Sequence, residues 1–193
     1  MEHLKRLDSL VIREKKKYAG MPANWKIQPL CCMEGVSGEE VYYAVTEKGG
    51  SPGWDGLRAA RAFTMYLVNR KGQEALFFVR KTGLFENKLE VFDGNESLLG
   101  SVHKQPGHAK SSFRVQGAAN RVLYQVEGPA EEPEILHIYQ NGIVAGKISR
   151  KLAGVDEEGG PKRGHFGIVF PLGADLEEKA VLTGALFLID NLF

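Results

Sequence analysis

The sequence holds 193 residues, 43% hydrophobic and 25% charged, with a formal net charge of +1. That length suits one substantial domain or at most two small ones, and the composition belongs to a chain able to bury a real core. The near-neutral charge excludes a global field drawing the chain to nucleic acid or anionic lipid, so any such attraction has to come from local patches.

The first residues, MEHLKRLDSLVIREKKKYAG, have no uninterrupted apolar region of the kind a secretory signal needs. Leu10, Val11 and Ile12, followed by Arg13 to Lys17, read as a short first strand entering a basic turn. The default for such a chain is a cytosolic protein. Cys31 and Cys32 are adjacent, a spacing that strains a disulfide, and they read as two plain thiols of a reducing compartment. Whether either is acylated is left open.

From Trp25 onward a short alternating or apolar run is repeatedly followed by a turn signal. EEVYYAV precedes the Gly- and Pro-rich TEKGGSPGWDG; AFTMYLV and EALFFVR flank NRKGQ; KLEVF and SLLGSVH flank DGNE; SFRVQG and RVLYQVEG flank Ala118 to Asn120. EILHIYQ and VAGKIS flank Asn141-Gly142, the strongest hairpin signal in the chain. HFGIVFP is the last such run. About eleven or twelve short, closely spaced strands predict an all-β barrel or sandwich, and the absence of helical patterns between them argues against TIM-barrel and Rossmann folds. LLGSVHK and VAGKISR echo each other, each with a Gly inside the strand pattern, where it marks a bulge or a close backbone approach.

The last stretch, DLEEKAVLTGALFLIDNLF, predicts a helix over 175–190. Asp175 and Glu178 have capping-box spacing, and Glu177 and Glu178 suit the positive end of the helix dipole. Ala180, Leu182, Leu186, Phe187 and Ile189 leave the helix apolar all round, which places it in a large core or in a membrane. A span needs about 20 apolar residues. This run is shorter and is interrupted by Asp190, so it reads as a buried core helix, with Ala180 and Gly184 as small residues fitted to a narrow interior.

The sequence carries no recognisable catalytic or metal-binding pattern. The histidines are scattered, His103 and His108 being the closest pair; there is no phosphate loop and no nucleophile elbow. Glu39-Glu40 and Glu131-Glu132 sit in loop-like contexts, and adjacent strand residues point to opposite faces. The chain therefore reads as non-enzymatic. Basic residues cluster at Lys147, Arg150 and Lys151 with Lys162 and Arg163, and again at Lys15 to Lys17; the first group is the candidate headgroup-binding surface.

HFGIVFPLGADLEEKAVLTGALFLID resembles the C-terminal signature of the phospholipid scramblase family: a Phe-Gly-Ile-x-Phe-Pro-Leu segment, a Lys-Ala pair and a Gly-Ala-x-Phe-Leu-Ile-Asp helix. VAGKISRKLAG is similar to its Val-Gly-Lys-Ile-Ser segment, and RAFTMYLVNRKGQEALFFVRK to its Pro-Phe-Thr hairpin. The likeness runs from Leu7 to Phe193. It implies a tubby-like fold over a single domain, residues 1–193: a closed antiparallel barrel of about twelve strands around a central hydrophobic C-terminal helix, with residues 1–20 contributing a first strand. It further implies membrane-surface lipid binding and ATP-independent transbilayer phospholipid movement, on anionic phospholipid headgroups or with a protein partner. The alternative is a tubby-like module for phosphoinositides or a regulatory protein, without transport.

The family's calcium segment is degenerate here. Lys162, Arg163, Gly164 and His165 stand where carboxylates are expected, Gly173 replaces the last Asp, and only Asp175 is retained. Calcium needs several oxygen ligands, so no cofactor is expected, unless Asp156, Glu157 and Glu158 substitute from upstream. The location implied is cytoplasmic and peripheral to a membrane. GKISRKLAG, a segment used for nuclear import in some relatives, keeps a nuclear location open, whereas nucleic-acid binding is not expected from a net charge of +1.

Overall fold

A computed structural model of the protein describes residues 1–14, 29–46, 63–82, 87–106, 110–129, 134–151 and 165–192. A short helix, α1 (Glu2–Lys5), precedes β1 (Ser9–Arg13), β2 (Cys31–Glu34), β3 (Glu40–Thr46), β4 (Phe63–Asn69), β5 (Glu74–Thr82) and β6 (Asn87–Asp93). Then come β7 (Leu98–Gln105), β8 (Lys110–Gly117), β9 (Val122–Pro129), β10 (Ile135–Gln140), β11 (Ile143–Lys151) and β12 (His165–Val169), and last the helix α2 (Leu176–Leu192). Each strand pairs antiparallel with its neighbours in sequence, and β1 pairs with β12, so the sheet closes into a twelve-stranded barrel. The strands are those the alternation predicts, and the closed barrel is the one the family resemblance implies; α1 is an addition to both.

Alternation explains the strands. Phe113 and Val115, Tyr124 and Val126, and Leu136 and Ile138 point inward and are fully buried, with polar or half-exposed residues between them. The interior is filled by α2, whose Ala180, Leu182, Leu186, Phe187 and Ile189 are all at most 1% exposed. Phe187 packs on Phe78 of β5 with ring centroids 5.3 Å apart. The expected capping box forms: Asp175 Oδ1 accepts from the Glu178 amide at 2.8 Å, and Glu178 Oε2 accepts from the Asp175 amide at 3.1 Å. A helix inside a barrel meets strands on every side, which is why its sequence shows no polar face. Lys179, Thr183 and Asp190 are buried as well.

Three glycines record how tight the fit is. A Cβ on Gly184 would stand 2.6 Å from Val91 Cγ2 and 2.9 Å from Leu89 Cδ2, so the helix backbone packs directly on these two side chains of β6. The two echoed strand glycines each adjoin a register shift, Gly100 beside the one at Val91/Phe92 and Gly146 beside the one at Ile138/Tyr139. A Cβ on Gly100 would lie on the backbone oxygen of Gln116, and one on Gly146 would come to 2.6 Å from the Val169 oxygen. Both are the close backbone approaches the sequence signals.

The two ends of the barrel differ. At the end where α2 begins, tight turns join β2 to β3, β4 to β5, β6 to β7, β8 to β9 and β10 to β11. Asn69 and Asp93 close two of them alike: Asn69 Oδ1 accepts the amides of Lys71 and Gln73, and Asp93 Oδ1 those of Asn95 and Ser97. Asn141 and Gly142 both adopt left-handed backbone, φ 51° and 79°, as an Asn-Gly hairpin turn requires. The remaining strand-to-strand connections leave from the other end, where α2 finishes.

Candidate functional site

The basic cluster expected from sequence divides between the two faces of one strand. Ile148 of β11 points into the core, so Lys147 points out; it is exposed and pairs with His137 of β10 and Val169 of β12. Arg150 lies two residues beyond Ile148 and shares its inward face at the mouth of the barrel. There its guanidinium carbon sits 5.8 Å over the ring centroid of buried Phe166, while its amide donates to the Glu134 oxygen at 2.8 Å. Lys147 and Arg150 therefore do not form one surface. The side chain of Lys151, with Lys162, Arg163, Gly164 and the Lys15 to Lys17 cluster, lies outside the described residues, as does the side chain of His165.

Arg80, not singled out from sequence, repeats the Arg150 arrangement across the barrel. It follows inward-facing Leu76 and Phe78 on β5, is 8% exposed, lies 5.9 Å over the Phe63 ring and donates from Nη2 to Asn87 Oδ1 at 3.2 Å. Burial holds its pKa below the usual arginine value. Counting by twos from Phe78 would have placed it.

Gly173, which replaces the last Asp of the calcium segment, and Asp175, which is retained, both have structural work. Gly173 adopts φ 79° in the turn between β12 and α2, and Asp175 is committed to the helix cap. A different group of potential ligands is brought together elsewhere: Cys32, Glu34 and Glu40, whose ligand atoms lie within 4.8 Å of one another, all buried. Register makes Glu34 and Glu40 direct partners, contrary to the loop-like reading of Glu40, which opens β3. The charges are already answered: Arg13 Nε lies 2.5 Å from Glu34 Oε2, and the Tyr43 hydroxyl donates to Glu40 Oε2 at 2.9 Å. The cluster is an ion-pair and hydrogen-bond network on the outer face, beside a second apolar cluster of Cys32, Tyr43, Val45 and Val68.

Both cysteines are fully buried, and burial is the leading reason the Cys31 thiol is held far above its ordinary pKa, with Asp190 next. His103 lies within β7, half-buried, with Nε2 3.0 Å from Ser101 Oγ; His108, Glu131, Glu132 and Asp156 to Glu158 lie outside the described residues. Between β9 and β10 the ladder stops at Gln125 and Tyr139. A half-open cleft of about 420 Å³ opens beyond that pair, lined in part by Tyr124, Glu127 and Tyr139. Among the described residues, no helix is long and apolar enough to cross a membrane.

The family model described as Scramblase matches residues 1–193. Phospholipid scramblase 1 of Mus musculus is 24% identical over 100% of this chain and 63% of its own length; that of Homo sapiens is 23% identical over 100% and 65%. Phospholipid scramblase 2 of Bos taurus is 23% identical, over 100% of this chain and 70% of its own. The chain thus spans a little under two thirds of the scramblase 1 proteins. In fold it is similar to an Arabidopsis thaliana protein known from an X-ray structure, with a TM-score of 0.53, 14% identity, and coverage of 94% of this chain and 89% of that one.

Proposed function

The chain belongs to the Scramblase family, and from that membership we propose that it binds phospholipid at a membrane surface and moves phospholipid between leaflets without ATP and without catalysing a covalent reaction. The observation that carries this reading is the family match over the whole of residues 1–193. Of the expected headgroup surface, Lys147 is exposed on the outer face, and one such cation near an anionic surface contributes about 1 kcal/mol. Arg150, turned over Phe166, takes no part on that face in this conformation.

A second reading, a tubby-like module that binds phosphoinositides or a regulatory protein without transport, is favoured by the enclosure of α2. A helix whose Leu182, Leu186 and Ile189 are 0% exposed inside strands cannot at the same time line a path through a bilayer. Any transport by this conformation works from the surface, by perturbing lipid packing. Vesicles carrying a fluorescent phospholipid in both leaflets separate the readings: a membrane-impermeant quencher extinguishes about half the signal without transport and nearly all of it with transport. Quenching held at the protein-free level, with or without calcium, while flotation shows bound protein, removes the transport half and leaves the module.

A further inference from the structure

We propose that the tight-turn end of the barrel is the face that meets the membrane, and that it does so by dipping aliphatic side chains into a neutral phospholipid surface. The proposal rests on the phospholipid-binding reading above and names the surface that performs it.

Among the described residues, the large aliphatic side chains left exposed all sit at the end where α2 begins, except Ile135. Most of them lie on neighbouring turns and strand ends, from β9 round to β12. These are Val122 (53% exposed), Ile143 (73%), Val144 (52%), Val169 (42%) and Leu172 (101%). Soluble surfaces scatter such residues singly; a cluster confined to one end marks an interaction site.

The chemistry favours a bilayer as the occupant. The aliphatic groups stand on separate tips, divided by the backbone of Asn141, Gly142 and Gly173, and the ring of Tyr139, partner of Val144, lies beside them. Separate tips can each pass between headgroups, as interfacial apolar residues do. The exposed charges bordering the arc are of both signs, Arg121 and Lys147 with Asp8, Asp175 and Glu177. A mixed rim matches a zwitterionic headgroup layer and does not depend on anionic lipid. The named relatives are phospholipid scramblases, and on the phospholipid-binding reading above phospholipid is what such a face would meet.

The test is flotation of the full chain with vesicles of pure phosphatidylcholine and of phosphatidylcholine with phosphatidylserine. Salt is raised to about 0.5 M, which shortens electrostatic reach to a few ångströms. The proposal expects the wild type to float with both lipids and in high salt. The double variant Leu172→Asp/Ile143→Asp should lose partitioning by at least about tenfold, since it exchanges buried aliphatics for charge at the interface. Ile135→Asp, at the opposite end, should float like the wild type. All substituted side chains are exposed, and an unchanged thermal melt verifies the fold. Leu172→Trp should add a blue-shifted emission component when vesicles are present. Equal flotation of wild type and double variant overturns the inference, as does flotation only with phosphatidylserine that salt abolishes; both outcomes leave phospholipid binding standing. An arc that instead holds two copies together, seen as a dimer in sedimentation that the double variant dissociates without change in flotation, overturns it too. A wild type that fails to float with either kind of vesicle defeats the phospholipid-binding reading itself.

Discussion

Lys179 joins the beginning of the chain to its end, and replacing it with Met isolates what that junction contributes. Its ammonium donates to the Lys5 oxygen at 2.9 Å and the Leu7 oxygen at 2.8 Å, carbonyls at and just beyond the last turn of α1, and lies 5.6 Å from the Phe170 ring centroid. The side chain is 6% exposed, so water does not replace those bonds easily. Hydrogen bonds from a charged donor contribute roughly 1.5–3 kcal/mol each. Met fills the same volume without an ammonium to desolvate, and removing a cation from the first turn of α2 recovers about 0.3–1 kcal/mol. The net expected loss for Lys179→Met is roughly 2–4 kcal/mol, which at about 2 kcal/mol per molar moves the urea midpoint down by roughly 1–2 M. A local assay goes with it: Lys5 and Arg6 are exposed tryptic sites, and their cleavage under native conditions should accelerate as α1 detaches. A midpoint within about half a molar of wild type, with unchanged cleavage, refutes the idea that Lys179 fastens α1 to the helix.

Further expectations concern the packing and the buried ionisable groups. Gly100→Ala should cost about 3 kcal/mol or prevent folding, because the new methyl meets the Gln116 backbone oxygen and, at 2.8 Å, Val181 Cγ2; a midpoint equal to wild type would show that the β7–β8 ladder can shift. Tyr43 and Tyr124 are held well above the ordinary tyrosine range, first by burial and then by Glu40 and Glu178 respectively. The unfolded chain gives up these protons near pH 10 while the folded one keeps them, so stability from this source is complete below pH 10 and falls above it. Urea midpoints at increasing alkalinity, with absorbance of tyrosinate, measure this; a flat profile with all tyrosines titrating together near pH 10 contradicts it. Cys31 and Cys32 should resist a thiol reagent in the native state and both react in urea, since each is at most 1% exposed; prompt native labelling would show that β2 opens.

The parts of the fold set by local pattern were legible in the sequence. Period-two alternation and the Asn141-Gly142, Asp93-Gly94 and Asn69 turns specify strands and hairpins, and antiparallel neighbours follow from short turns. The terminal helix was readable as core because its apolar run is short and begins with a capping box. Closure of β1 onto β12 was not readable from pattern alone, because it joins residues far apart in sequence; it came with the family resemblance. The basic cluster misled because proximity in sequence was taken for a shared surface: Lys147 and Arg150 differ by an odd number of positions and so face opposite ways. Glu34 and Glu40 meet only through strand pairing, and α1 is held by tertiary contacts of Leu4 and Lys179 rather than by its own four residues.

The order of elements also bears on how the molecule comes into being. The interior of the barrel is supplied by the segment that follows all twelve strands, so hairpins can zip as they appear but have nothing to close around until α2 arrives. Closure must then bring β1 to β12 and α1 to Lys179 in one late step spanning nearly the whole sequence. Contacts of such long separation fold slowly. During that wait the inward faces of all twelve strands are bare, and the nascent protein is at its most dependent on protection from aggregation before α2 is in place.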